Sequence, residues 1–290
     1  MTTIKQQPLF DKICLVTGAT AGIGRITATA LAAHGSELVI HGRNQEKAEI
    51  TVNQIKAETG NDQVSYLLAD FSDLDQVRNL AAEFQEKFDH LHVLVNNAGA
   101  FFNKRIPTSY DVEMTFLINH LAPFLLTNLL LETLKNSSPA RIVNISSEGH
   151  RQGKIDFNDL GFEKGYFGMK AYSRSKLANI LFTYELDRRL EGTGITVNAL
   201  HPGHIATDIW KTNFGLIGPA LKRIMGLFSL TPEEGAENSI YLATSPEVEG
   251  IHGKYFIKNE PAQSSPSSHD KEISQRLWKL SAALTSLPEN

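Results

Sequence analysis

Short apolar runs alternate along this chain with longer segments in which apolar residues recur at the spacing of a helix. The apolar runs predict strands at 12–17, 37–41, 64–68, 92–95, 141–145, 195–200 and 254–257. The segments between them predict helices, among them 25–34, 46–58, 74–88 and 112–134. Such alternation is typical of parallel strands joined by right-handed crossovers, and strands buried on both faces read as continuous Val, Ile and Leu. The pattern predicts an α/β protein with one doubly wound, mostly parallel, seven-stranded sheet and helices on both faces.

The C-terminal part of the chain departs from this alternation. Residues 260–268 are rich in Ser and Pro, which predicts an exposed loop. Beyond it, Ile273, Leu277, Leu280 and Leu284 recur at helical spacing and predict a surface helix over about 269–285. No internal repeat exceeds the strand–helix unit, so we predict that residues 1–290 form a single domain.

A glycine-rich loop follows the first predicted strand and opens the first predicted helix. Its spacing is GxxxGxG, and strand, glycine loop and helix are the context that a dinucleotide site demands. The glycines permit a tight turn and bring backbone N–H groups close to a pyrophosphate at the positive end of the helix. The residues assigned to this cofactor-binding loop are Gly18, Thr20, Gly22, Ile23 and Gly24.

A tyrosine and a lysine stand four residues apart in the stretch AYSRSK. In a helix, Tyr172 and Lys176 would lie on one face, so the ammonium would sit beside the phenol oxygen. A nearby cation favours the phenolate, which predicts a pKa of Tyr172 lowered toward neutral pH. The pair is therefore a candidate acid–base catalyst.

These motifs together resemble the short-chain dehydrogenase/reductase family. TGxxxGxG near the N-terminus, NNAG at 96–99 and YxxxK at 172–176 occur in the family's order, and the resemblance runs from about Lys12 to Phe256. It implies a Rossmann-type domain, with a cofactor-binding part at about 10–140 and a catalytic and substrate part at about 141–257. It also implies interconversion of a carbonyl and an alcohol by hydride transfer, with Tyr172 as acid and base.

The branch of the family is indicated by the interval between Ser147 and Tyr172. It spans 25 residues, about twice the length found in the commonest branch. Together with the tail around Trp278, it resembles the retinol dehydrogenase–like branch, which includes relatives of protochlorophyllide reductase and the WW-domain oxidoreductase. The chain shows neither a hydrophobic N-terminal anchor nor WW domains, so a bacterial-type carbonyl reductase fits as well as a retinoid enzyme.

The resemblance assigns further catalytic residues around the pair. Ser147, the second of two serines after a predicted strand, is expected to hold the substrate oxygen as negative charge develops. Ser146 is expected to pack at the strand end. Asn119 is expected to anchor a water that touches Lys176, and a structural hydrogen bond is its alternative role.

The resemblance assigns further cofactor contacts as well. Asp70 is expected to contact the adenine edge, unless it caps the helix that begins near Asp73. Asn96 is expected to help hold the loop over the adenosine. The other residues assigned to the cofactor are Ala98, Gly99, Tyr172, Lys176, Pro202, Gly203, Ile205 and Thr207.

The choice between the two nicotinamide cofactors depends on the end of the second predicted strand. NAD-binding folds usually place an acidic residue there, which binds the ribose hydroxyls. This chain has Arg43 followed by Asn44, and a guanidinium can clamp a 2′-phosphate in a bidentate contact. We expect NADP(H) in preference to NAD(H), the alternative being that Arg43 is a surface residue opening the next helix.

Composition excludes several other classes of function. A net charge of −4 gives no basic surface for nucleic acid. The ten histidines are scattered and the single cysteine, Cys14, lies in an apolar strand, so neither a metal site nor a disulfide is expected. Because no signal peptide and no long apolar run occur, we expect a cytoplasmic protein without an integral membrane segment.

Residues 209–231 carry several large apolar side chains. Four of them, Leu221, Ile224, Met225 and Phe228, have the spacing of one helix face. In the family this region, about 204–231, is a lid, which implies a small apolar substrate. The face could instead pack on the body, touch a membrane surface, or join a homodimer. Two other functions remain open: a non-catalytic dinucleotide-binding regulatory protein, and a dehydratase or epimerase that uses Glu148 as an added acid or base.

Overall fold

A computed structural model describes residues 9–203 and 231–288. Its strands form one continuous sheet in the order β3-β2-β1-β4-β5-β6-β7-β8, parallel except for the last pair. The strands are β1 Ile13–Val16, β2 Glu37–Gly42, β3 Val64–Leu68, β4 Val93–Asn96, β5 Ala140–Ile145, β6 Ile195–His201, β7 Lys254–Ile257 and β8 Glu260–Ala262. The predicted doubly wound fold is confirmed, and the order reverses between β1 and β4, which is where such folds bind nucleotides.

Helices cover both faces of this sheet. They are α1 Gly22–Ala33, α2 Gln45–Thr59, α3 Leu74–Lys87, α4 Met114–Phe116, α5 Ala122–Leu129, α6 Leu131–Lys135, α7 Gly168–Arg189, α8 Pro232–Thr244 and α9 Lys271–Leu284. One apolar core lies between the sheet and α3, α5, α7 and α9, and a second lies between the sheet and α1, α2 and α8. The helix predicted over 112–134 is interrupted, because a π-helical turn, Leu117–Leu121, joins α4 to α5.

Two predictions about the C-terminal part need correction. The sheet has eight strands, since β8 pairs antiparallel with β7 at its edge. Residues 260–268 are also exposed only in part, because the first three form β8 and Ser264, Ser265 and Ser268 are buried. Their hydroxyl and backbone groups are satisfied by buried partners, among them the Tyr184 hydroxyl, 2.8 Å from the Ser264 hydroxyl. Serine-rich composition therefore misled the prediction, as small polar side chains can be buried when they bond to one another.

The predicted C-terminal helix is α9, and it is more deeply packed than a surface helix. Trp278 is 6% exposed and its ring packs edge-on against Phe124, with ring centroids 5.0 Å apart. Asp270 caps the helix by accepting from the backbone N–H of Ile273 at 3.0 Å. Within the described ranges 9–203 and 231–288, no helix is both long and apolar enough to cross a membrane.

Candidate active site

The glycine loop between β1 and α1 lies directly against the loop that follows β4. A Cβ added to Gly18, whose φ is +64°, would lie 2.8 Å from the Cα of Ala98. A Cβ added to Gly24 would lie 2.3 Å from the side-chain nitrogen of Asn97. Only glycine allows this approach of the two loops. No side chain caps the start of α1, in contrast to α2 and α3, so its N–H groups are available for a pyrophosphate.

Asn97 is the residue that holds the glycine loop in place. Its side-chain nitrogen donates to the carbonyls of Thr17 at 2.8 Å and Gly18 at 3.1 Å. Asn96 instead faces the sheet interior, where it donates to Thr127 and Asn144 at 2.9 and 2.8 Å. The side-chain hydrogen bonds to the glycine loop therefore come from Asn97, and the role expected for Asn96 at the adenosine stays a prediction. Successive side chains in a strand point to opposite faces, and this alternation was the sequence signal that could have separated them.

His41 supports the same loop from β2, and sequence reasoning missed it. The ring accepts from the backbone N–H of Gly18 at 3.2 Å through Nδ1, and Nε2 donates to the carbonyl of Ala69 at 3.0 Å. It also stacks on Phe71 with ring centroids 4.3 Å apart. Burial lowers the pKa of His41 to about 4, so the ring is neutral at pH 7 and can accept from the loop.

The residues expected to select the cofactor lie at the carboxyl end of β2. Thr20 of the glycine loop packs closely against Gly42, the last residue of β2. A Cβ added to Gly42 would lie 2.5 Å from the methyl group of Thr20. Arg43, the next residue, is exposed beside this contact. Asn44 is occupied as the cap of α2, because its side chain accepts from the backbone N–H of Lys47 at 2.9 Å. Arg43 is therefore an exposed cation next to the residue that contacts the glycine loop.

Among the remaining residues expected at the cofactor, Asp70, Pro202 and Gly203 follow strands at the same edge of the sheet. The Asp70 carboxylate accepts from the backbone and hydroxyl of Ser72 at 2.9 and 2.7 Å. It does not cap α3, because Asp73 does so. Pro202 and Gly203 follow β6 and are half-buried. Ile23 lies in the first turn of α1, whereas Ile205, Thr207 and the proposed lid lie outside the described residues.

The predicted catalytic residues converge where β5 ends beside α7. Lys176 is 4% exposed, and its ammonium donates to the carbonyl of Ile145 at 3.0 Å, 5.6 Å from the centre of the Tyr172 ring. Ser147 and Tyr172 lie side by side, since a Cβ added to Gly149 would lie 3.5 Å from the Ser147 Oγ and 3.6 Å from the Tyr172 ring. Ser146 donates instead to the backbone carbonyl of Lys176 at 2.8 Å, which fastens the helix to the strand. The structure thus pairs Ser147 with the tyrosine and gives Ser146 the packing role.

The ionisation of this pair differs from the prediction. Burial raises the pKa of Tyr172, and the hydrogen bond from Ser147 offsets only part of that rise. Burial also lowers the pKa of Lys176 to about 8. The expected lowering of the tyrosine pKa was wrong for this geometry, because the cost of burying the phenolate dominates the shift. A protonated phenol is the form that can donate to a developing alkoxide.

Asn119 lies within the π-helical turn and connects two sides of the site. Its side-chain oxygen accepts from the N–H of Ala100 at 2.7 Å, and its nitrogen donates to the Ala100 carbonyl and to the Ser175 hydroxyl, each at 3.0 Å. A Cβ on Gly99 would lie 3.4 Å from that oxygen and 3.7 Å from the Lys176 ammonium. Asn119 therefore fixes the loop after β4 against the helix that carries the lysine.

Glu148, the acid considered for other chemistry, is already bound. Its carboxylate accepts from Tyr255 at 2.9 Å and from Arg151 at 2.8 Å. Burial acts to raise the pKa of Glu148, but these two hydrogen bonds outweigh it and leave the pKa below its usual value. A carboxylate held in this way is a poor proton donor, which argues against the dehydratase or epimerase reading.

Comparison with known proteins agrees with this geometry. A family model described as short chain dehydrogenase matches residues 12–215. Retinol dehydrogenase 11 of Mus musculus is 42% identical over 96% of this chain and 87% of its own length. Polyprenol dehydrogenase of Homo sapiens is 40% identical over 96% of this chain and 88% of its own length.

Solved structures give the same result. A short chain dehydrogenase from Shigella flexneri, complexed with NADP, has a TM-score of 0.70 and 26% identity, covering 88% of this chain and all of its own. A putative uncharacterized protein from Mycobacterium Paratuberculosis has a TM-score of 0.78 and 29% identity, covering 99% of this chain and 98% of its own.

A doubly wound sheet with a glycine loop at its switch point and a Tyr–Lys pair at the same edge defines a dinucleotide-dependent oxidoreductase. The chain belongs to the short-chain dehydrogenase/reductase family, in its retinol dehydrogenase–like branch. It is accordingly an oxidoreductase that acts on CH–OH groups, and its family binds NAD or NADP.

Proposed function

We propose that this protein is an NADP(H)-dependent oxidoreductase that interconverts an apolar aldehyde or ketone and the corresponding alcohol, with Tyr172 as the acid and base. The observation that carries the proposal is the gathering of Tyr172, Ser147 and Lys176 at the end of β5, beside the glycine loop. A carbonyl oxygen placed between the serine and tyrosine hydroxyls would meet two hydrogen-bond donors.

The cofactor supplies or accepts the hydride at carbon 4 of its nicotinamide when it is bound. In the direction of reduction, Tyr172 transfers its proton to the substrate oxygen as the new C–H bond forms. Ser147 donates to the same oxygen, and its orientation is fixed because its Oγ also accepts from the backbone N–H of Gly149 at 3.1 Å. Lys176 supplies a positive charge behind the tyrosine, and Asn119 keeps the lysine's helix in register with the loop after β4.

Two observations support NADP(H). Arg43 is exposed at the end of β2, beside the glycine loop, where a 2′-phosphate would need a cation. Structures of related short chain dehydrogenases from Shigella flexneri and Escherichia coli, 26% and 25% identical, contain NADP and NADPH. The apolar substrate is suggested by the relatives, a retinol dehydrogenase and a polyprenol dehydrogenase.

The proposal is tested by following NADPH and NADH consumption by the purified protein. The substrates are aromatic aldehydes, medium-chain aldehydes, retinal, a polyprenal and ketosteroids. Turnover with NADPH on apolar carbonyls is the expected result. Tight NADPH binding without turnover on any of them would favour the non-catalytic regulatory protein, and turnover with NADH alone would overturn the cofactor assignment while leaving the reaction intact.

The substitution Arg43→Met is expected to weaken NADPH binding by about 10- to 100-fold, the range for loss of a charge-assisted hydrogen bond. NADH affinity should change by no more than about twofold, since NADH lacks the phosphate. Lys87→Met is the matched control, because Lys87 is an exposed cation paired with Glu83 at the far end of α3. Dissociation constants from nicotinamide fluorescence measure both effects, and equal losses for the two cofactors would contradict the role of Arg43.

A further inference from the structure

The turn that follows Ser147 is docked on a segment near the end of the chain. This serine turn, Glu148–Gln152, is a 3₁₀ helix that Ser147 caps. Three of its side chains reach the C-terminal segment 255–265. Glu148 accepts from the Tyr255 hydroxyl at 2.9 Å, His150 accepts from the backbone N–H of Ser265 at 3.0 Å, and Arg151 donates to the Gln263 carbonyl at 2.7 Å.

Of these side chains, His150 is the one that also contacts Ser147. Its ring nitrogen Nδ1 lies 2.6 Å from the Ser147 carbonyl oxygen, which also accepts from the His150 backbone N–H at 3.0 Å. His150 is fully buried, and its ring meets that of Tyr255 edge-on at 5.0 Å. The ring therefore bridges the peptide of the serine and the backbone of Ser265.

The partners of the ring determine its protonation state. The Ser147 carbonyl can only accept, so Nδ1 must carry a proton, and the Ser265 N–H can only donate, so Nε2 must not. Burial lowers the pKa of His150, which keeps this neutral form at pH 7, and the charges nearest to it are Glu148 and Arg151. A second proton on Nε2 would face the Ser265 N–H and break the bridge.

We propose that His150 is a positioning residue for Ser147, and that through it the C-terminal segment 255–265 sets the direction in which the serine hydroxyl points. The proposal rests on the proposed function, in which Ser147 donates to the substrate oxygen. A shift of the Ser147 peptide would misdirect that hydroxyl, whose Oγ accepts from the backbone N–H of Gly149 at 3.1 Å. The other end of the same peptide is held by His201, whose Nδ1 accepts from the backbone N–H of Glu148 at 3.3 Å.

Two substitutions separate the two halves of the bridge. In His150→Asn the amide nitrogen stands where Nδ1 does and can still donate to Ser147, whereas in His150→Gln the side-chain oxygen stands near Nε2 and can accept only from Ser265. We expect kcat to fall by about 10- to 100-fold in His150→Gln, which loses the contact with Ser147, and by a smaller factor of about 3- to 10-fold in His150→Asn, which keeps that contact but loses the tie to Ser265. NADPH affinity should be unchanged in both variants, because the bridge does not reach the glycine loop.

A second readout does not depend on turnover. Long-range ¹H–¹⁵N correlation spectra of the wild-type protein report which ring nitrogen of His150 carries the proton, and His150→Asn assigns the signal. The proton is expected on Nδ1 throughout pH 6.5–8, where the bridge requires it.

A proton on Nε2, or wild-type turnover by His150→Gln, would overturn the positioning role. If the wild-type protein binds NADPH but turns over no carbonyl, the proposed function fails. In that case the spectrum still decides whether the bridge positions Ser147, together with the Glu148 amide signal. That N–H belongs to the Ser147–Glu148 peptide and donates to His201 at 3.3 Å, so its signal should move further in His150→Gln than in His150→Asn.

Discussion

Tyr172→Phe is expected to reduce kcat for carbonyl reduction by about 100- to 10,000-fold, the contribution of a positioned general acid. The substitution removes one oxygen and little else. The ring keeps its edge-on contact with Phe101, with centroids 6.0 Å apart, and its place beside the Lys176 ammonium. Because burial keeps the phenol protonated at neutral pH, the lost atom is the proton donor itself.

The measurement is the single-turnover rate with saturating NADPH, compared with NADPH affinity from fluorescence. Tyr241→Phe is the matched control, since it also deletes one hydroxyl and one hydrogen bond, to Glu247 at 3.1 Å, at the far end of α8. It should turn over like the wild type. A Tyr172→Phe protein that retained more than about a tenth of the wild-type rate would assign the proton donor to another group.

The fold was predictable because the parallel strands are buried on both faces. Runs such as 13–16 and 93–95 are apolar without interruption, and the predicted strand bounds agree with the structure to about one residue. The C-terminal segment was not predictable in the same way. Ser264 and Ser265 are buried through bonds to Tyr184 and His150, residues that lie 80 and 115 positions away in the chain. Composition carries no information about partners so distant.

In the candidate site, too, the residues defined by local spacing were predicted and those that depend on distant partners were not. The motifs located Tyr172, Lys176 and the glycine loop, because their chemistry depends on local spacing. The supporting residues Asn97, His41 and His150 were missed. Each acts through backbone groups on other elements, so its role follows from where two loops approach and from which ring nitrogen is protonated.

The ionisation of the site depends on burial, which spacing alone does not give. The motif placed a cation four residues from a phenol, and from that pair alone a lowered tyrosine pKa is the correct expectation. In the structure both groups are taken out of water, so the phenol is held protonated and the ammonium is weakened. The same burial has a consequence for stability.

Lys176→Met is expected to abolish most turnover and, at the same time, to stabilise the protein against unfolding. Burial lowers the pKa of Lys176 from 10.5 to about 8, which at about 1.4 kcal/mol per unit corresponds to a cost of roughly 3 kcal/mol for keeping the charge in the folded state. Methionine carries no charge and suits the apolar part of the site. The carbonyl of Ile145 would not be left unpaired, because Asn179 also donates to it at 3.2 Å.

The pH dependence identifies the cause of the stabilisation. The folded pKa is depressed, so the cost is fully present below pH 8 and is relieved as the pH rises toward 10.5, where the lysine is neutral in both states. The gain of Lys176→Met in denaturant unfolding without cofactor should therefore be largest near neutral pH and shrink through that window. Lys87→Met, a change of the same charge at the surface, should alter stability by no more than about 0.5 kcal/mol. If Lys176→Met is instead less stable than the wild type, the contacts of the ammonium must offset the cost of burying its charge. The lysine would then stabilise the fold as well as serve catalysis.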